Sequence, residues 1–131
     1  APSLPQEEKM LPLFVLEPLL PGQRMFLYVY ELRYRLLVQR VLNYSSDRCF
    51  GMIGYTNNED ANFSSREIAK RGTKVEITAH GSNPDGRFRL EIVGRKMFKI
   101  VHKRESEGGY IEAAVDDDDV ADLNDDDHDR Q

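Results

Sequence analysis

The chain has 131 residues, a length that allows one domain with its own core and hardly two. Of these residues, 40% are hydrophobic and 31% are charged, which is the composition of an ordinary globular protein. No apolar run approaches the ~20 residues that a membrane-spanning helix needs. The polar start of the chain has no secretory signal, and its first residue is Ala1, so we expect a chain processed or excised from a longer protein.

The net charge of −5 averages two different regions. From Asp116 onward there are nine Asp and one Arg, whereas residues 1–115 contain 14 acidic residues and 17 Lys plus Arg, a net charge of +3. The acidic segment has too few apolar residues to form a core, so we predict a disordered tail at residues 116–131. It also lacks the Gly and Glu of an EF-hand calcium loop. Residues 1–9 are predicted to be a flexible leader.

The first half of the chain predicts strands at residues 11–16, 25–30 and 49–56, with a Pro-Gly turn at residues 21–22. Between the second and third strands, residues 31–42 change to a helical period. The apolar stripe of this helix consists of Tyr34, Leu37, Val38 and Val41. Glu31 and Arg35 have the spacing of a helical ion pair. Gly51 and Gly54 interrupt the third strand, where we expect a bulge or a close approach of the backbone.

The second half predicts a hairpin. Residues 73–79 and 87–93 alternate between apolar and polar positions, and the sequence Asp85-Gly86 between them favours a tight turn. Gly94 is predicted to turn the chain into another strand at residues 96–103, and a last strand follows at residues 110–115. Six or seven short strands with one helix predict an antiparallel barrel or pseudo-barrel, because an open sheet would leave exposed edges.

The sequence offers little for catalysis, so we predict that the chain is not an enzyme. It has no phosphate-binding loop, no GxSxG elbow and no HExxH helix. Cys49 is the only cysteine, and its apolar neighbours favour a half-buried core thiol over a nucleophile paired with His80 or His102. Two of the residues Glu31, Glu76 and Glu91 could form an acid/base pair, but Glu76 and Glu91 are predicted on outward faces of the hairpin, where charged residues are expected anyway.

A lone cysteine and three scattered histidines predict no disulfide framework, no metal site and no cofactor. A reducing compartment fits best. We therefore expect a cytoplasmic location, with a nuclear or organellar one left open. No membrane partner is expected, and the sequence leaves the oligomeric state open.

Several short sequences occur in the order of a known family. They are LPLFVL from Leu11, LPG from Leu20, ELRYRLLV from Glu31, FGM from Phe50, PDGR from Pro84, GRKMFKI from Gly94 and GYIEAAV from Gly109. Together they resemble the LON substrate-binding (Lon N-terminal) domain. Tyr30 replaces a usual Phe, and Leu32 stands where Pro is common.

The resemblance implies a mainly β, PUA-like pseudo-barrel at residues 10–115. It also implies that the helical half of the family's domain is missing after the last strand. Family members include ATP-dependent Lon protease, RING-finger proteins with a LON domain, the cullin-ligase receptor cereblon and standalone LON proteins. The quoted sequences look most like the RING-plus-LON or standalone group.

The function implied by the resemblance is non-catalytic recognition of polypeptide clients for a ubiquitin ligase or protease. One alternative is the N-terminal domain of an ATP-dependent Lon protease. Another is a PUA-like RNA-binding module, which the modest charge of +3 and the acidic tail make the weaker hypothesis.

Two groups of residues are candidate polypeptide-binding surfaces. The first is an apolar patch around the Pro-Gly turn, made by Leu19, Leu20 and Met25. The second combines basic and aromatic character and consists of Arg89, Lys96, Lys99 and Tyr110, provided that the last strands are neighbours. The motif residues with an expected structural role are Glu31, Arg33, Tyr34, Gly51, Asp85 and Gly86.

Overall fold

The computed structural model describes residues 9–56 and 67–118. Its elements, in chain order, are β1 (Leu11–Val15), β2 (Arg24–Val29), α1 (Leu32–Tyr44), β3 (Cys49–Ile53), β4 (Arg71–Ser82), β5 (Phe88–Glu105) and β6 (Ile111–Asp117). The prediction of a mainly β fold with one helix and six or seven strands is confirmed.

The strands form one six-stranded sheet in the order β2-β5-β4-β3-β1-β6, and a further pairing of β5 with β6 closes it into a ring. The closure is possible because β5 is 18 residues long. Its first part pairs with β2 at residues 88–93, and its last part pairs with β6 at residues 98–105. Five strands are therefore paired on both sides, and β2 extends the sheet from one half of β5.

The prediction that neighbouring strands are antiparallel holds for every pair except one. β1 and β3 run parallel, with Leu13 opposite Gly51 and Val15 opposite Ile53. A parallel pair needs a long crossover between its strands, and β2 with α1 supplies it here. Along the chain, α1 therefore lies between β1 and β3, which are neighbours in the ring.

The turn predicted at Gly94 is wrong, because β5 continues through it as a single strand. Lys74 lies opposite Lys96 and Val75 opposite Gly94, so Arg95 is an additional residue on β5 and forms a β-bulge. A bulge bends a strand without ending it. This bend lets the two halves of β5 pair with different strands.

The helix α1 packs its predicted stripe into the barrel. Tyr34, Leu37, Val38 and Val41 are all buried, and they join one core cluster with inward residues of β1, β2, β3, β4 and β5. A second, smaller cluster forms around Leu13, Ile53, Phe98 and Ala113 near the closing strand. The helical period in the sequence therefore predicted the buried face of α1 correctly.

The predicted boundary of the acidic tail needs correction at its first residues. Asp116 and Asp117 are part of β6 and pair with β5. The side chains of Asp117 and Asp118 form ion pairs with Lys96 at 3.3 Å and with Arg71 at 2.8 Å. Basic neighbours thus hold the first acidic residues in the sheet. Residues 119–131 and 1–8 lie outside the described residues, so the rest of the tail and the leader stay predictions.

Candidate functional site

The outer face of β2 carries a row of exposed aromatic side chains. Phe26, Tyr28 and Tyr30 are 82%, 46% and 60% exposed, whereas Leu27 and Val29 between them are buried in the core. Successive side chains of a strand point to opposite faces, so Phe26 and Tyr28 share the outer face of β2. Tyr30 directly follows the strand and continues the same alternation of exposed and buried side chains. We call Phe26, Tyr28 and Tyr30 the aromatic row.

The neighbouring strand β5 places charged residues beside the aromatic row. Tyr28 lies opposite Arg89, and Phe26 lies opposite Glu91. Glu91 is bound by Arg24 at 3.3 Å, and Asn83 donates a hydrogen bond of 3.1 Å to the hydroxyl of Tyr28. Within the described part of the chain, Arg89 has no ion-pair partner.

The rings of Tyr28 and Tyr30 are close to each other, with centroids 6.5 Å apart. A row of large aromatic side chains beside an unpaired arginine offers apolar contact, hydroxyl groups and a positive charge together. Such a combination is typical of protein-binding surfaces, where aromatic residues and arginine are enriched.

The apolar patch predicted around the Pro-Gly turn is not a single surface. Leu19 is only 3% exposed and packs in the main core cluster, and its carbonyl oxygen accepts a hydrogen bond from the hydroxyl of Thr73. Met25 is half-buried and packs against the same core. Leu20 is 70% exposed, so of the three predicted residues it is the one that extends into solvent.

The second predicted surface is not formed either. Arg89 and Lys96 lie on the same strand seven positions apart, which is about 20 Å at ~3.3 Å per residue. Lys99 lies opposite Asp116 near the closing strand. Tyr110 is buried, and its hydroxyl accepts a hydrogen bond of 3.0 Å from Arg40 of α1. The prediction fails because β5 is long and because Tyr110 points toward the helix.

The motif residues at the start of α1 have structural roles. Glu31 is the N-cap residue, and its carbonyl oxygen accepts hydrogen bonds from the amides of Tyr34 and Arg35. Its carboxylate forms an ion pair with Arg33 at 3.8 Å, and not with Arg35 as the spacing had predicted. The guanidinium of Arg33 also lies 4.7 Å from the ring centre of Tyr34.

Gly51 packs closely against the side chains of Leu13 and Phe98. A Cβ atom there would lie 2.7 Å from Cδ2 of Leu13 and 2.9 Å from Cε2 of Phe98, so no larger residue fits without movement. The close approach of the backbone predicted from the sequence is therefore present.

Asp85 and Gly86 form the predicted turn between β4 and β5. The carboxylate of Asp85 accepts a hydrogen bond of 3.1 Å from the amide of Arg87, and Gly86 has a φ of +93°. The guanidinium of Arg35 packs against Gly86, with Nη2 2.6 Å from the place where a Cβ atom would lie. This contact joins α1 to the hairpin turn.

Cys49 has the environment of a core thiol. It is buried, and burial together with the nearby carboxylate of Asp47 raises its pKa to about 11. A thiol of that pKa is almost entirely protonated at neutral pH and is a poor nucleophile. The described residues contain no group of three or more His, Cys, Asp or Glu side chains placed to hold a metal ion.

A groove of about 600 Å³ opens beside the C-terminal end of α1, and basic residues line it. The basic groups are engaged by acids: Arg40 and Arg104 bind Glu112 at 2.6 Å and 2.8 Å, and Lys74 binds Asp47 at 3.4 Å. Arg40 and Arg104 share the single carboxylate of Glu112, and Lys9 also lines the groove, so the groove keeps a net positive charge.

The family model for the "ATP-dependent protease La (LON) substrate-binding domain" matches residues 10–131. The chain belongs to this family. The LON substrate-binding domain is not itself the catalytic part of the protease for which the family is named. The matched range contains the whole ring of strands and the aromatic row.

Solved structures agree with this assignment. The Lon N-terminal domain protein from Xanthomonas campestris is 28% identical, with a TM-score of 0.66 over 85% of this chain and 60% of that one. The N-terminal domain of Mycobacterium avium complex Lon protease is 15% identical, with a TM-score of 0.59 over 85% of this chain and 55% of that one. This LON substrate-binding domain thus spans less than two thirds of either solved chain.

The aromatic row of this LON domain was missed by the sequence analysis, although the sequence carries a signal for it. Residues 25–30 are apolar or aromatic at every position, so both faces of the strand are apolar. One face of β2 packs on the core through Leu27 and Val29, and no described residue buries the other face, which carries Phe26 and Tyr28. No helix among residues 9–56 and 67–118 is long and apolar enough to cross a membrane.

Proposed function

We propose that this LON substrate-binding domain binds exposed apolar segments of polypeptide clients through the aromatic row and presents them to a ubiquitin ligase or a protease. The observation that carries the proposal is the 82% exposure of Phe26 at one end of a row that continues with the exposed rings of Tyr28 and Tyr30. Exposed apolar rows are uncommon on soluble monomers and often mark interaction sites.

The chemistry of the surface supports a polypeptide as the ligand. Aromatic side chains provide large contact areas at low entropic cost, and they pack on apolar side chains of any sequence. Clients for degradation share exposed apolar segments and no common motif, so a surface of this kind would recognise many of them. Arg89 adds a positive charge that could select among such segments.

The identity of the longer protein that contains this domain, a protease or a ubiquitin ligase, is also part of the proposal. The matching family model is named for an ATP-dependent protease, which supports such a parent, whereas the short sequences quoted above favoured a RING-containing ligase or a standalone LON protein. Nucleic-acid binding receives less support, because the basic residues Arg71, Lys74 and Lys96 are all paired with Asp side chains. Phosphate recognition requires basic groups that are free to bind it.

The test is binding of a reduced and alkylated globular protein that cannot refold, measured by fluorescence anisotropy with the full chain. Phe26→Ser combined with Tyr30→Ser should weaken binding at least tenfold, about 1.4 kcal/mol, because two aromatic contacts are lost. Tyr44→Ser is the matched control, since Tyr44 is 85% exposed but lies at the far end of α1.

The free energy of unfolding of each variant should stay close to that of the native chain, because all three side chains are exposed. Equal binding by the native chain and the Phe26/Tyr30 double variant would refute the proposal.

A further inference from the structure

Among the strands that the structure describes, none pairs with one edge of β2. Every other strand is hydrogen-bonded on both sides, whereas β2 pairs with β5 alone. Within residues 9–56 and 67–118, no backbone hydrogen bond reaches residues 24–29 from any other segment. An edge of this kind presents unpaired amide and carbonyl groups that can pair with another chain.

The hydrogen bonds of Gly94 show which groups of β2 point to the free edge. Both the amide and the carbonyl of Gly94 bond to residues just before β2: its amide donates to Gln23 at 2.8 Å, and its carbonyl accepts from Gly22 at 2.7 Å. In an antiparallel pair, the residues of a strand point these groups alternately to one neighbour and to the other.

Counting back from Gly94 in steps of two, Ile92, Leu90 and Phe88 also point their backbone groups toward β2. They lie opposite Met25, Leu27 and Val29, so these three residues use their own groups to pair with β5. The backbone groups of Phe26 and Tyr28 therefore point to the free edge, while their side chains lie on the outer face.

The edge of β2 lacks the features that usually block strand addition. Its last five residues, MFLYV, contain no charged residue, proline or glycine, and the pairing with β5 shows no bulge. Natural proteins protect exposed edges with charges, prolines or bulges because an open edge promotes aggregation. The lack of such protection beside an exposed aromatic row is therefore best explained if another chain binds to this edge.

We infer that an extended acidic segment of a polypeptide client adds to β2 as a further strand, hydrogen-bonded to the backbone of Phe26 and Tyr28. This inference rests on the proposed function and specifies how the client is held. Backbone pairing gives affinity without sequence preference, and alternate side chains of the client lie beside the aromatic row. It would thus suit a surface that receives many clients.

The charges on this face favour an acidic client over a second copy of the chain. Arg24 and Arg89 both lie on the outer face, and Arg89 has no acidic partner among the described residues. Arg24 is already paired with Glu91, so a carboxylate on the added strand would pair with Arg89. A second copy paired across the same edge would bring another Arg89 and no free carboxylate to this face.

The experiment uses the full chain labelled with ¹⁵N and a peptide of about ten residues, long enough to pair with the whole of β2. Aromatic residues and glutamates take turns at every second position of the peptide, with threonine between them, so that both types lie on one face of the added strand. Hydrogen exchange of individual amides is measured by NMR with and without the peptide. The amides of Phe26 and Tyr28 should exchange at least about tenfold more slowly in the complex, because they gain hydrogen bonds. The amides of Leu27 and Val29 are already paired with β5 and serve as internal controls.

Two N-methylated peptides test the backbone pairing directly. Each carries methyl groups on alternate amides, in one phase or the other. Methylation of the amides that face β2 should weaken binding about tenfold or more, whereas methylation in the opposite phase should have little effect, because only one set donates to the protein. Replacing the glutamates by lysine should also weaken binding, and Arg89→Gln should reduce that difference.

Three results would overturn the inference. In the first, both methylated peptides bind as tightly as the parent peptide and the amides of Phe26 and Tyr28 still exchange rapidly. In the second, no peptide binds although the unfolded protein does. In the third, these amides are protected without peptide in a dimer of the chain. In the first two cases, unfolded-protein binding that depends on Phe26 would leave the proposed function standing.

Discussion

The ring of Tyr34 stacks on the ring of Phe14, with centroids 4.0 Å apart and planes inclined by 16°. The hydroxyl of Tyr34 accepts a hydrogen bond of 3.3 Å from the amide of Val15. Burial raises the pKa of Tyr34, and the amide of Val15 lowers it by less. This contact joins α1 to β1. The LPLF and RYR sequences, which are far apart in the chain, thus meet in the barrel.

Replacing Tyr34 separates the contribution of the ring from that of the hydroxyl. Tyr34→Ala should reduce the free energy of unfolding by about 3–5 kcal/mol, because it leaves a cavity against Phe14. Tyr34→Phe should cost about 1 kcal/mol, since the ring remains and the amide of Val15 loses its acceptor. Urea unfolding followed by circular dichroism measures both. If both variants lose the same free energy of unfolding, the packing of the Tyr34 ring on Phe14 is not the main contribution of this residue to stability.

Gly51 should not tolerate a methyl group. Gly51→Ala places a Cβ atom 2.7 Å from Leu13 and 2.9 Å from Phe98, and we expect a loss of about 1–3 kcal/mol in the free energy of unfolding. Gly54→Ala is the matched control, because the nearest atom there, on Pro18, is 3.4 Å away. Combining Gly51→Ala with Phe98→Leu should cost less than the sum of the two single losses if the clash with Phe98 is the cause.

The carboxylate of Glu112 couples stability to pH. Burial alone would raise its pKa, but the hydrogen bonds from Arg40 and Arg104 outweigh this effect, and the pKa is below its usual value. A carboxyl group with a lowered pKa in the folded state stabilises the fold above the unfolded pKa of ~4.3, and that contribution is lost as the pH falls through the folded pKa.

Glu112→Gln should therefore destabilise the chain by about 1–3 kcal/mol at pH 7, and the difference from the native chain should shrink below pH ~4. Urea unfolding between pH 3 and 7 gives this difference directly, within the range spanned by the carboxyl pKa. Glu91→Gln, which removes the exposed ion pair with Arg24, should cost less than about 1 kcal/mol at neutral pH. A constant effect of Glu112→Gln over the whole range would argue against the ion pairs as the source.

Cys49 should react slowly in the native chain. With a pKa of about 11, roughly one thiol in a thousand is ionised at pH 8, and the side chain is buried as well. Alkylation by iodoacetamide, followed by mass spectrometry, should be at least about a hundredfold slower in buffer than in denaturing urea. Rapid alkylation in buffer would show that Cys49 is exposed or that its thiolate is stabilised.

Local patterns in the sequence predicted the elements whose formation depends on neighbouring residues. The helical stripe around Leu37 and the Asp85-Gly86 turn are local properties, because period and backbone conformation are fixed within a few residues. Gly94 misled the prediction for the opposite reason. A glycine at the end of an alternating run indicates a turn, but here it is needed because the carbonyl of Leu20 packs against it.

The structure does not bring either set of predicted binding residues together into one surface, because their placement depends on distant contacts. Leu19 and Leu20 are identical neighbours, yet the hydroxyl of Thr73 binds the carbonyl of Leu19, and Leu19 alone is buried. The sequence predicted Tyr110 as a surface aromatic residue, but in the structure its hydroxyl is hydrogen-bonded to Arg40 of α1. In both cases the buried residue is hydrogen-bonded to a partner more than fifty residues away in the chain, which local sequence patterns do not reveal.

The sequence by itself determined the class of fold, the buried face of α1 and the family, because periodicity, turn residues and ordered motifs are written along the chain. Only the tertiary structure decided that β5 is continuous, that β1 and β3 run parallel and that β2 keeps a free edge. Strand order and exposure arise from pairings between distant segments. The aromatic row became visible as a surface only when α1 and the core had covered the other face of β2.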